Sequence, residues 1–194
     1  MKTAIDVQLA TRLINSGPLL LVGTRCADWF SMAPIAWSMP GSKKPPTIFL
    51  TVGTHHATWD NMVKKGVFSC NVVSPSLIRA VAFLGAHSGK NMDKMTALGL
   101  PYSLGPLLEM PLLNDAPAAF ECEVLTLDPK TSLVQGVIVS AFADSRWFQE
   151  RWLVERGFAP VHHLGGDAYQ VGAEVVRQPL LQDPPDLRED LSVS

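Results

Sequence analysis

The stretch Thr47–Asn61, TIFLTVGTHHATWDN, predicts a strand, a polar loop and a helix in immediate succession. Residues 48–52 are typical of a buried strand, and Gly53 ends it. Thr58 is a suitable N-cap for a short helix that stops at Gly66. A loop rich in hydroxyl and imidazole groups before an open helix N-terminus favours an anion, because unpaired backbone N–H groups point outward there. An ordinary strand–turn–helix connection has the same pattern, so this stretch alone leaves both interpretations open.

The size and composition of the chain predict one folded domain. It has 194 residues, 47% of them hydrophobic and 18% charged. We expect residues 1–178 to form a single domain and residues 179–194, rich in proline and acidic residues, to form a tail with little structure. The net charge of −2, from 16 basic and 18 acidic residues, argues against nucleic acid as a partner.

The N-terminal region and the cysteines predict a cytoplasmic protein without a membrane segment. Asp6 and Arg12 occupy positions where a signal peptide would need an apolar core, and Leu19–Val22 is too short to span a bilayer. Three widely spaced cysteines without a CxxC pair indicate reduced thiols rather than a disulfide framework or a zinc site: Cys26, Cys70 and Cys122.

Hydrophobic periodicity and breaker residues predict a mainly β fold with inserted helices. Strands are expected over residues 19–24, 31–39, 47–52, 67–73, 118–127 and 133–142, and helices over 6–15, 58–65, 75–84, 91–98 and 146–157. Pro34 cannot donate to a β ladder, so its strand should be an edge strand or bulged. Residues 106–117 are expected to be an irregular link, and Glu121 should lie on a wet or interfacial strand face. Many strands with few helices indicate a small barrel.

A second informative stretch is His87–Lys94, HSGKNMDK. Lys90 and Lys94 are four residues apart, so both can lie on one side of the first turn of the following helix. Such a pair suits a phosphate monoester, which carries about −1.5 to −2 charges at neutral pH. The alternative is that both lysines are solvated helix residues.

Other site chemistries have weaker support in the sequence. The G-x-S-x-G elbow of serine hydrolases is missing, as are G-x-G-x-x-G and the P-loop motif. The adjacent pairs His55-His56 and His162-His163 lack a spacing suited to a metal site, and no pair of carboxylates suggests an acid and a base. We therefore predict neither a metal site nor a catalytic side chain.

Seven short motifs, in this order, resemble the flavin reductase-like FMN-binding split barrels, especially their flavoredoxin-like branch. They are Pro18–Thr24, Ser31–Trp37, Pro45-Pro46, Thr58-x-x-Asn61, Ser88-Gly89-Lys90 with Asp93-Lys94, Pro111–Leu113 and Phe120–Cys122. The resemblance extends from about Pro18 to Phe142. The chain departs from the family's usual residues at Ala27–Phe30, at His56, where an arginine is frequent, and at Met95.

The resemblance implies a split β-barrel that forms a homodimer with one FMN per subunit near the interface. Backbone contacts to the isoalloxazine edge would come from Ser31, Met32, Ala33 and Pro34. The ribityl–phosphate path would be lined by Thr51, Val52, Gly53, His56, Thr58 and Asn61. The phosphate itself would be enclosed by Ser88, Gly89, Lys90 and Lys94.

The function implied by the resemblance is that of a flavin-dependent oxidoreductase. NAD(P)H would deliver hydride to FMN, and the reduced flavin would pass electrons onward, to a redox protein or a monooxygenase partner. One alternative is a flavoredoxin-type electron-transfer protein reduced by a protein partner. A further alternative is a barrel that binds another ligand without redox activity.

Overall fold

The computed structural model describes residues 17–149, 151–172 and 174–184, with residues 174–176 described by their backbone alone. The helix predicted over residues 6–15 and residues 185–194 of the predicted tail lie outside the described residues. None of the described helices is long and apolar enough to cross a membrane.

Strands dominate the described chain, which confirms the predicted fold class. The strands are β1 Leu20–Arg25, β2 Phe30–Ile35, β3 Ser38–Lys43, β4 Pro46–Thr51, β5 Val67–Val72, β6 Tyr102–Leu104, β7 Pro111–Leu113, β8 Ala118–Asp128, β9 Leu133–Ala143, β10 Phe148–Gln149, β11 Arg151–Trp152, β12 Val161–Gly165, β13 Ala168–Val171 and β14 Glu174–Arg177. The helices are α1 Ala57–Lys65, α2 Ile78–Ala86 and α3 Lys94–Leu98, with 3₁₀ turns at Pro75–Leu77 and Val154–Arg156.

Seven antiparallel strands form the main sheet in the order β2-β1-β5-β8-β9-β4-β3. The strand that contains Pro34 is at an edge, as predicted, so the missing N–H leaves no gap inside the sheet. The single strand predicted over residues 31–39 is two strands, because the chain turns at Ala36-Trp37 and β3 becomes the opposite edge. Both edges of the sheet therefore come from neighbouring segments of chain.

Two hydrophobic clusters lie on opposite faces of β1. Leu19 and Leu21 pack in one cluster with Phe83 of α2, and Leu20 and Val22 pack in the other. A strand with two buried faces requires an unbroken apolar run instead of alternation, which explains Leu19–Val22. The first cluster holds α2 and α3 against β2, where the candidate site forms.

The N-cap of helix α1 lies two residues earlier than predicted. The N-cap residue is His56, without a side-chain cap bond, so the prediction of Thr58 as N-cap is wrong. Thr58 instead lies buried in the first turn. Gly66 ends the helix at a φ of 68°, which confirms the predicted stop, since a glycine has no Cβ to strain that conformation.

Helix α3 begins at Lys94 rather than at Asn91. The Asp93 carboxylate caps it by accepting from the backbone N–H and the hydroxyl of Thr96, at 3.1 and 2.7 Å. Lys90 therefore lies in the preceding loop, and the prediction that Lys90 and Lys94 share one helical turn is wrong.

The charged helix predicted over residues 146–157 is also wrong. Phe148 and Trp152 face each other across the β10–β11 pair, with ring centroids 5.2 Å apart in an edge-to-face arrangement. Trp152 also stacks on Phe158 at 4.0 Å. Cross-strand aromatic pairing stabilises the short hairpin, whereas the sequence spacing alone also suits a helix face.

Residues 106–117 are not wholly irregular, because β6 and β7 form a hairpin around a loop that the Glu121 carboxylate holds. This carboxylate accepts from the backbone N–H groups of Leu107, Leu108 and Met110 at 3.2, 2.8 and 3.3 Å, and from Ser140 Oγ at 2.6 Å. Glu121 is fully buried under this loop of its own chain, so its predicted place on a wet or interfacial face is wrong. A β-bulge at Glu121–Cys122 interrupts the register that simple alternation assumes.

Candidate functional site

A cleft of about 220 Å³ lies between the edge strand β2, the N-terminus of α1 and the loop that joins α2 to α3. Nine residues predicted for the flavin site line it: Ser31, Ala33, Pro34, Val52, His56, Thr58, Ser88, Gly89 and Lys94. These residues come from three separate stretches of chain, residues 31–34, 52–58 and 88–94. The fold therefore brings together most of what the motifs singled out.

Five predicted residues do not line the cleft: Met32, Thr51, Gly53, Asn61 and Lys90. The Met32 side chain is fully buried in the first hydrophobic cluster, on the far side of β2. Lys90 is exposed and forms an ion pair with Asp60 at 2.7 Å. Met32 and Lys90 are therefore engaged away from the cleft.

Asn61 connects α1 to the end of β1. Its Nδ2 donates to Thr24 Oγ1 at 3.0 Å and lies 3.3 Å from Cys26 Sγ. The Cys26 thiol in turn lies 3.6 Å from the carbonyl oxygen of Gly89. Asn61 therefore fixes the position of α1 and, through Cys26, borders the loop that carries Gly89.

Lys94 is the buried cation of the cleft, with only 2% of its surface exposed. Its Nζ donates to the carbonyl oxygens of Leu84 at 2.8 Å and His87 at 3.0 Å. Burial lowers the pKa of Lys94 to about 8, although the nearby Cys26 opposes that shift. An ammonium has three N–H donors, so one remains for a ligand.

The N-terminus of α1 adds donors from the opposite side. The N–H groups of Trp59 and Asp60 bond to the His56 carbonyl oxygen, which leaves the first-turn amides of Ala57 and Thr58 unpaired among the described residues. The pKa of His56 is lowered first by partial burial and then by electrostatic repulsion from the neighbouring His55, Lys90 and Lys94. Its imidazole is therefore neutral at pH 7, and Lys94 carries the positive charge.

Gly89 packs tightly against β2. A Cβ added there would lie 2.1 Å from Ser31 Oγ and 2.9 Å from Ser31 Cβ. The next contact, with Ala57 Cβ, would be an ordinary 3.7 Å. The close approach of this backbone to Ser31 therefore requires glycine.

Sequence reasoning missed several residues that line the cleft. His87 stacks on Phe83 with ring centroids 4.2 Å apart, and its Nδ1 lies 3.0 Å from the Phe83 carbonyl oxygen. The other missed residues are Ile35, Ala57, Leu84 and Gly85. Their only sequence signal is proximity to the two motifs, since apolar residues at the end of α2 look like ordinary core.

The electrostatics of the cleft suit an anionic group. None of the described residues that line it is acidic. A buried ammonium, unpaired helix amides and hydroxyl groups face the same volume, and such groups stabilise phosphate. In the described ranges, no group of three or more His, Cys, Asp or Glu residues could hold a metal ion.

Comparison with known proteins assigns the chain to a family. Residues 13–157 match the flavin reductase like domain. The chain belongs to the flavin reductase-like family. Its members include FMN-binding split barrels, and the fold of this flavin reductase-like domain agrees with theirs.

Individual relatives of the flavin reductase-like domain agree over most of its length. The chain is 30% identical over 176 residues to an uncharacterized Escherichia coli (strain K12) protein, YddH, across 85% of this chain and 92% of that protein. A flavoredoxin of Desulfovibrio vulgaris (Miyazaki F) superposes with a TM-score of 0.77 at 24% identity, across 92% and 97% of the two chains. An FMN-binding protein from Thermus thermophilus with bound p-hydroxybenzaldehyde superposes at 0.75 with 23% identity, across 92% and 99%.

Proposed function

We propose that this protein is a flavin reductase-like oxidoreductase that uses FMN as its cofactor and NAD(P)H as its electron donor. The observation that carries the proposal is the convergence of nine predicted residues from three stretches of chain on one cleft. The cleft contains a buried ammonium and no acidic lining residue among those described. Membership of the flavin reductase-like family supports the same conclusion.

The cleft residues fit the two chemically distinct ends of FMN. Lys94, the Thr58 hydroxyl and the first-turn amides of α1 would hold the phosphate, because all of them are hydrogen-bond donors. The close contact of Gly89 with Ser31 would bring loop amides near the same group. The edge strand β2, through Ala33 and Pro34, would contact the flat ring, since an edge strand has backbone groups without a neighbouring strand.

FMN, when bound, supplies the hydride-accepting and electron-donating chemistry, so the protein needs no acid–base pair of its own. What this chain contributes is binding and orientation. Lys94 neutralises charge in a buried position, and His56 is a neutral donor or acceptor at the cleft mouth. Because β2 is pinned to α3 and α2 through the first hydrophobic cluster, the ring and phosphate contacts would lie on one rigid unit.

The experiment that tests the cofactor is an absorption spectrum of the purified protein. We expect flavin bands, and we expect heat to release FMN rather than FAD, since the chain has no adenine-binding glycine motif. FAD as the released flavin, or a colourless protein that does not bind added FMN, would contradict the proposal. The second result would favour a barrel that binds another ligand.

A flavoredoxin-type electron-transfer protein is the second candidate. The fold similarity to the D. vulgaris flavoredoxin favours it, although likeness at this identity extends to the fold alone. Anaerobic stopped-flow absorbance separates the two candidates. A reductase should show bleaching of the flavin band by NADH or NADPH within one turnover, whereas no bleaching with either nucleotide would favour reduction by a protein partner. In both cases the electrons would pass to a redox protein or a monooxygenase partner.

We also propose that the protein is a homodimer. An apolar groove of about 590 Å³ runs across the main sheet between β3 and the β10–β11 hairpin. Met39 and Phe142 line it and are 58% and 47% exposed, and Phe120 and Trp152 lie beside them. A contiguous apolar surface of this kind is typical of an interface, and two-fold symmetry lets one groove pair with its copy.

Light scattering tests the dimer. We expect a dimer at micromolar concentration and a monomer for Phe142→Lys, because a charge in a closed apolar interface has no partner. Leu125→Lys is the matched control, since Leu125 is 54% exposed but does not line the groove. A wild-type monomer, or equal dissociation of both variants, would show that the groove is not the interface.

A further inference from the structure

A second cleft, which none of the predicted site residues enters, lies on the other side of the start of β2. Its volume is about 200 Å³, and Arg25, Trp29, Phe30, Met95 and Tyr102 are among the residues that line it. Phe30 precedes Ser31 of the flavin cleft, and Met95 follows Lys94. The two clefts are therefore neighbours that share the start of β2 and the start of α3.

Trp29, one of the residues that line the second cleft, has an unused hydrogen-bond donor. Trp29 Nε1 is buried without a hydrogen-bond partner, and it is the one such side-chain nitrogen or oxygen atom found among the described residues. Buried polar groups in folded proteins are almost always paired, because an unpaired group loses its hydration without compensation. A ligand acceptor in this cleft would supply the missing partner.

The walls of the cleft suit a flat aromatic ring. Phe30 and Tyr102 meet edge to face with ring centroids 5.7 Å apart, and the Arg25 guanidinium lies 4.6 Å from the centre of the Phe30 ring. Tyr102 is 40% exposed, so it has a ring surface available for a ligand. Aromatic faces and guanidinium planes are the surfaces on which nucleobases stack.

The charged groups of the cleft suit a sugar phosphate attached to that ring. Arg25 has five N–H donors, and it contacts the Glu109 carbonyl oxygen at 3.3 Å and the Glu109 carboxylate at a distant 4.0 Å. The Asp93 carboxylate already accepts from Thr96. Asp28 is exposed at the rim, where a carboxylate can accept from ribose hydroxyl groups.

We propose that this second cleft binds the adenylate half of the nicotinamide dinucleotide whose nicotinamide reaches the flavin cleft. This proposal rests on the proposed function and deepens it. The adenine ring would lie against Phe30 and Tyr102, with a ring nitrogen accepting from Trp29 Nε1, and Arg25 would contact phosphate. The volume agrees, because about 200 Å³ holds a base but falls below the ~300–1,000 Å³ of sites that enclose a whole drug-sized ligand.

The test is calorimetric titration of 5′-AMP into the FMN-loaded protein. We expect AMP to bind and to compete with the dinucleotide, and ribose 5-phosphate, which lacks the base, to bind far more weakly. Trp29→Phe removes the N–H together with the five-membered ring that carries it, so AMP affinity should fall at least about three- to ten-fold. FMN affinity should not fall, because Trp29 does not line the flavin cleft. Trp147→Phe, a tryptophan outside this cleft, is the matched control.

A second variant guards against a folding defect in the first. Tyr102→Leu removes an exposed ring wall and should also weaken AMP binding without affecting FMN. The proposal is overturned if AMP does not bind, if neither variant changes its affinity, or if Trp29→Phe weakens AMP and FMN equally, which would indicate a structural role. FMN binding is measured separately by fluorescence, so failure of the FMN site is distinguishable from failure of the AMP site.

Discussion

Replacing Lys94 with methionine should weaken FMN binding while leaving the cofactor-free protein at least as stable as the wild type. Methionine has a similar length and no charge, so it tests the ammonium specifically. A buried charge-assisted contact to phosphate contributes about 1.5–3 kcal/mol, which corresponds to a loss of affinity of roughly ten- to a hundred-fold. Lys94 is 2% exposed, so solvent screening reduces this contribution little.

The effect on stability has the opposite sign. Burial lowers the pKa of Lys94 from 10.5 to about 8, and a difference of about 2.5 at about 1.36 kcal/mol each costs the folded protein about 3 kcal/mol at pH 7. Methionine removes that cost but also loses the hydrogen bonds to Leu84 and His87, each contributing about 1 kcal/mol. The net expectation is a gain of about 1 kcal/mol in the free energy of unfolding.

The same pKa predicts how the wild type responds to pH. The folded protein holds this proton less tightly than the unfolded chain, so its free energy of unfolding should rise between about pH 8 and pH 10.5 as the buried charge disappears. FMN affinity should fall as pH rises through about 8, because a neutral amine attracts phosphate less. The phosphate is already doubly charged above pH 7, since its second pKa is about 6. Both Lys94-dependent effects should vanish in Lys94→Met.

Fluorescence titration at pH 7 and pH 9.5, with FMN and separately with riboflavin, measures the predicted changes in flavin affinity. Riboflavin lacks the phosphate, so its affinity should barely differ between wild type and Lys94→Met. Lys90→Met is the matched control, because Lys90 is exposed and paired with Asp60, and a solvated pair contributes only about 0–1 kcal/mol. Equal FMN affinity for wild type and Lys94→Met, or equal loss for both ligands, would refute the placement of the phosphate at Lys94.

Two further substitutions test features around the cleft and the sheet. Gly89→Ala should lower FMN affinity at least about ten-fold, because its Cβ would lie 2.1 Å from Ser31 Oγ. Adding Ser31→Gly should restore part of the loss. If the single change has no effect, the loop that carries Gly89 can move away from Ser31 without loss of FMN binding. Glu121→Gln should reduce the free energy of unfolding by about 2–3 kcal/mol in urea, whereas exposed Glu123→Gln should change it little. Burial raises the pKa of Glu121, but hydrogen bonds from Ser140 and three backbone amides lower it overall, so this contribution should be present above about pH 4.5 and lost as pH falls through the lowered pKa.

Much of the sheet could be predicted from the sequence because its signals are local. The continuous apolar run that enters β1 and the strand before Gly53 both depend on burial of neighbouring residues along the chain. Gly66 needs only its own backbone angle to stop α1. Where a boundary depends only on neighbouring residues, the predicted position of the strand or helix end therefore lies within one or two residues of the observed one.

The errors occur where distant residues decide the structure. Glu121 is buried because three amides from residues 107–110 and the Ser140 hydroxyl reach it, and none of these partners is visible in the strand's own alternation. Phe148 and Trp152 form a hairpin because they contact each other and Phe158. Helical spacing in residues 146–157 could not distinguish those contacts from one helix face.

In the candidate site, too, features set by neighbouring residues could be predicted, and features set by distant contacts could not. Residues within the two polar loops, such as Thr58 and Gly89, could be selected by type and position. Lys90 was misplaced because the Asp93 cap begins α3 after it, and a lysine before a helix has the same residue type as one inside it. His87 was missed as a lining residue because only its stacking on Phe83 directs it toward the cleft.

The reactivity of one cysteine can report on the loop that carries Gly89. Cys70 and Cys122 are fully buried in the sheet. Burial, and to a smaller extent a hydrogen bond with Cys122, raises the pKa of the Cys70 thiol. Cys26 is the partly exposed thiol, in contact with Asn61 and the Gly89 carbonyl oxygen. A thiol reagent applied to the native protein should thus label one site per chain, Cys26. The rate of that labelling should report how often the loop that carries Gly89 moves away from β2.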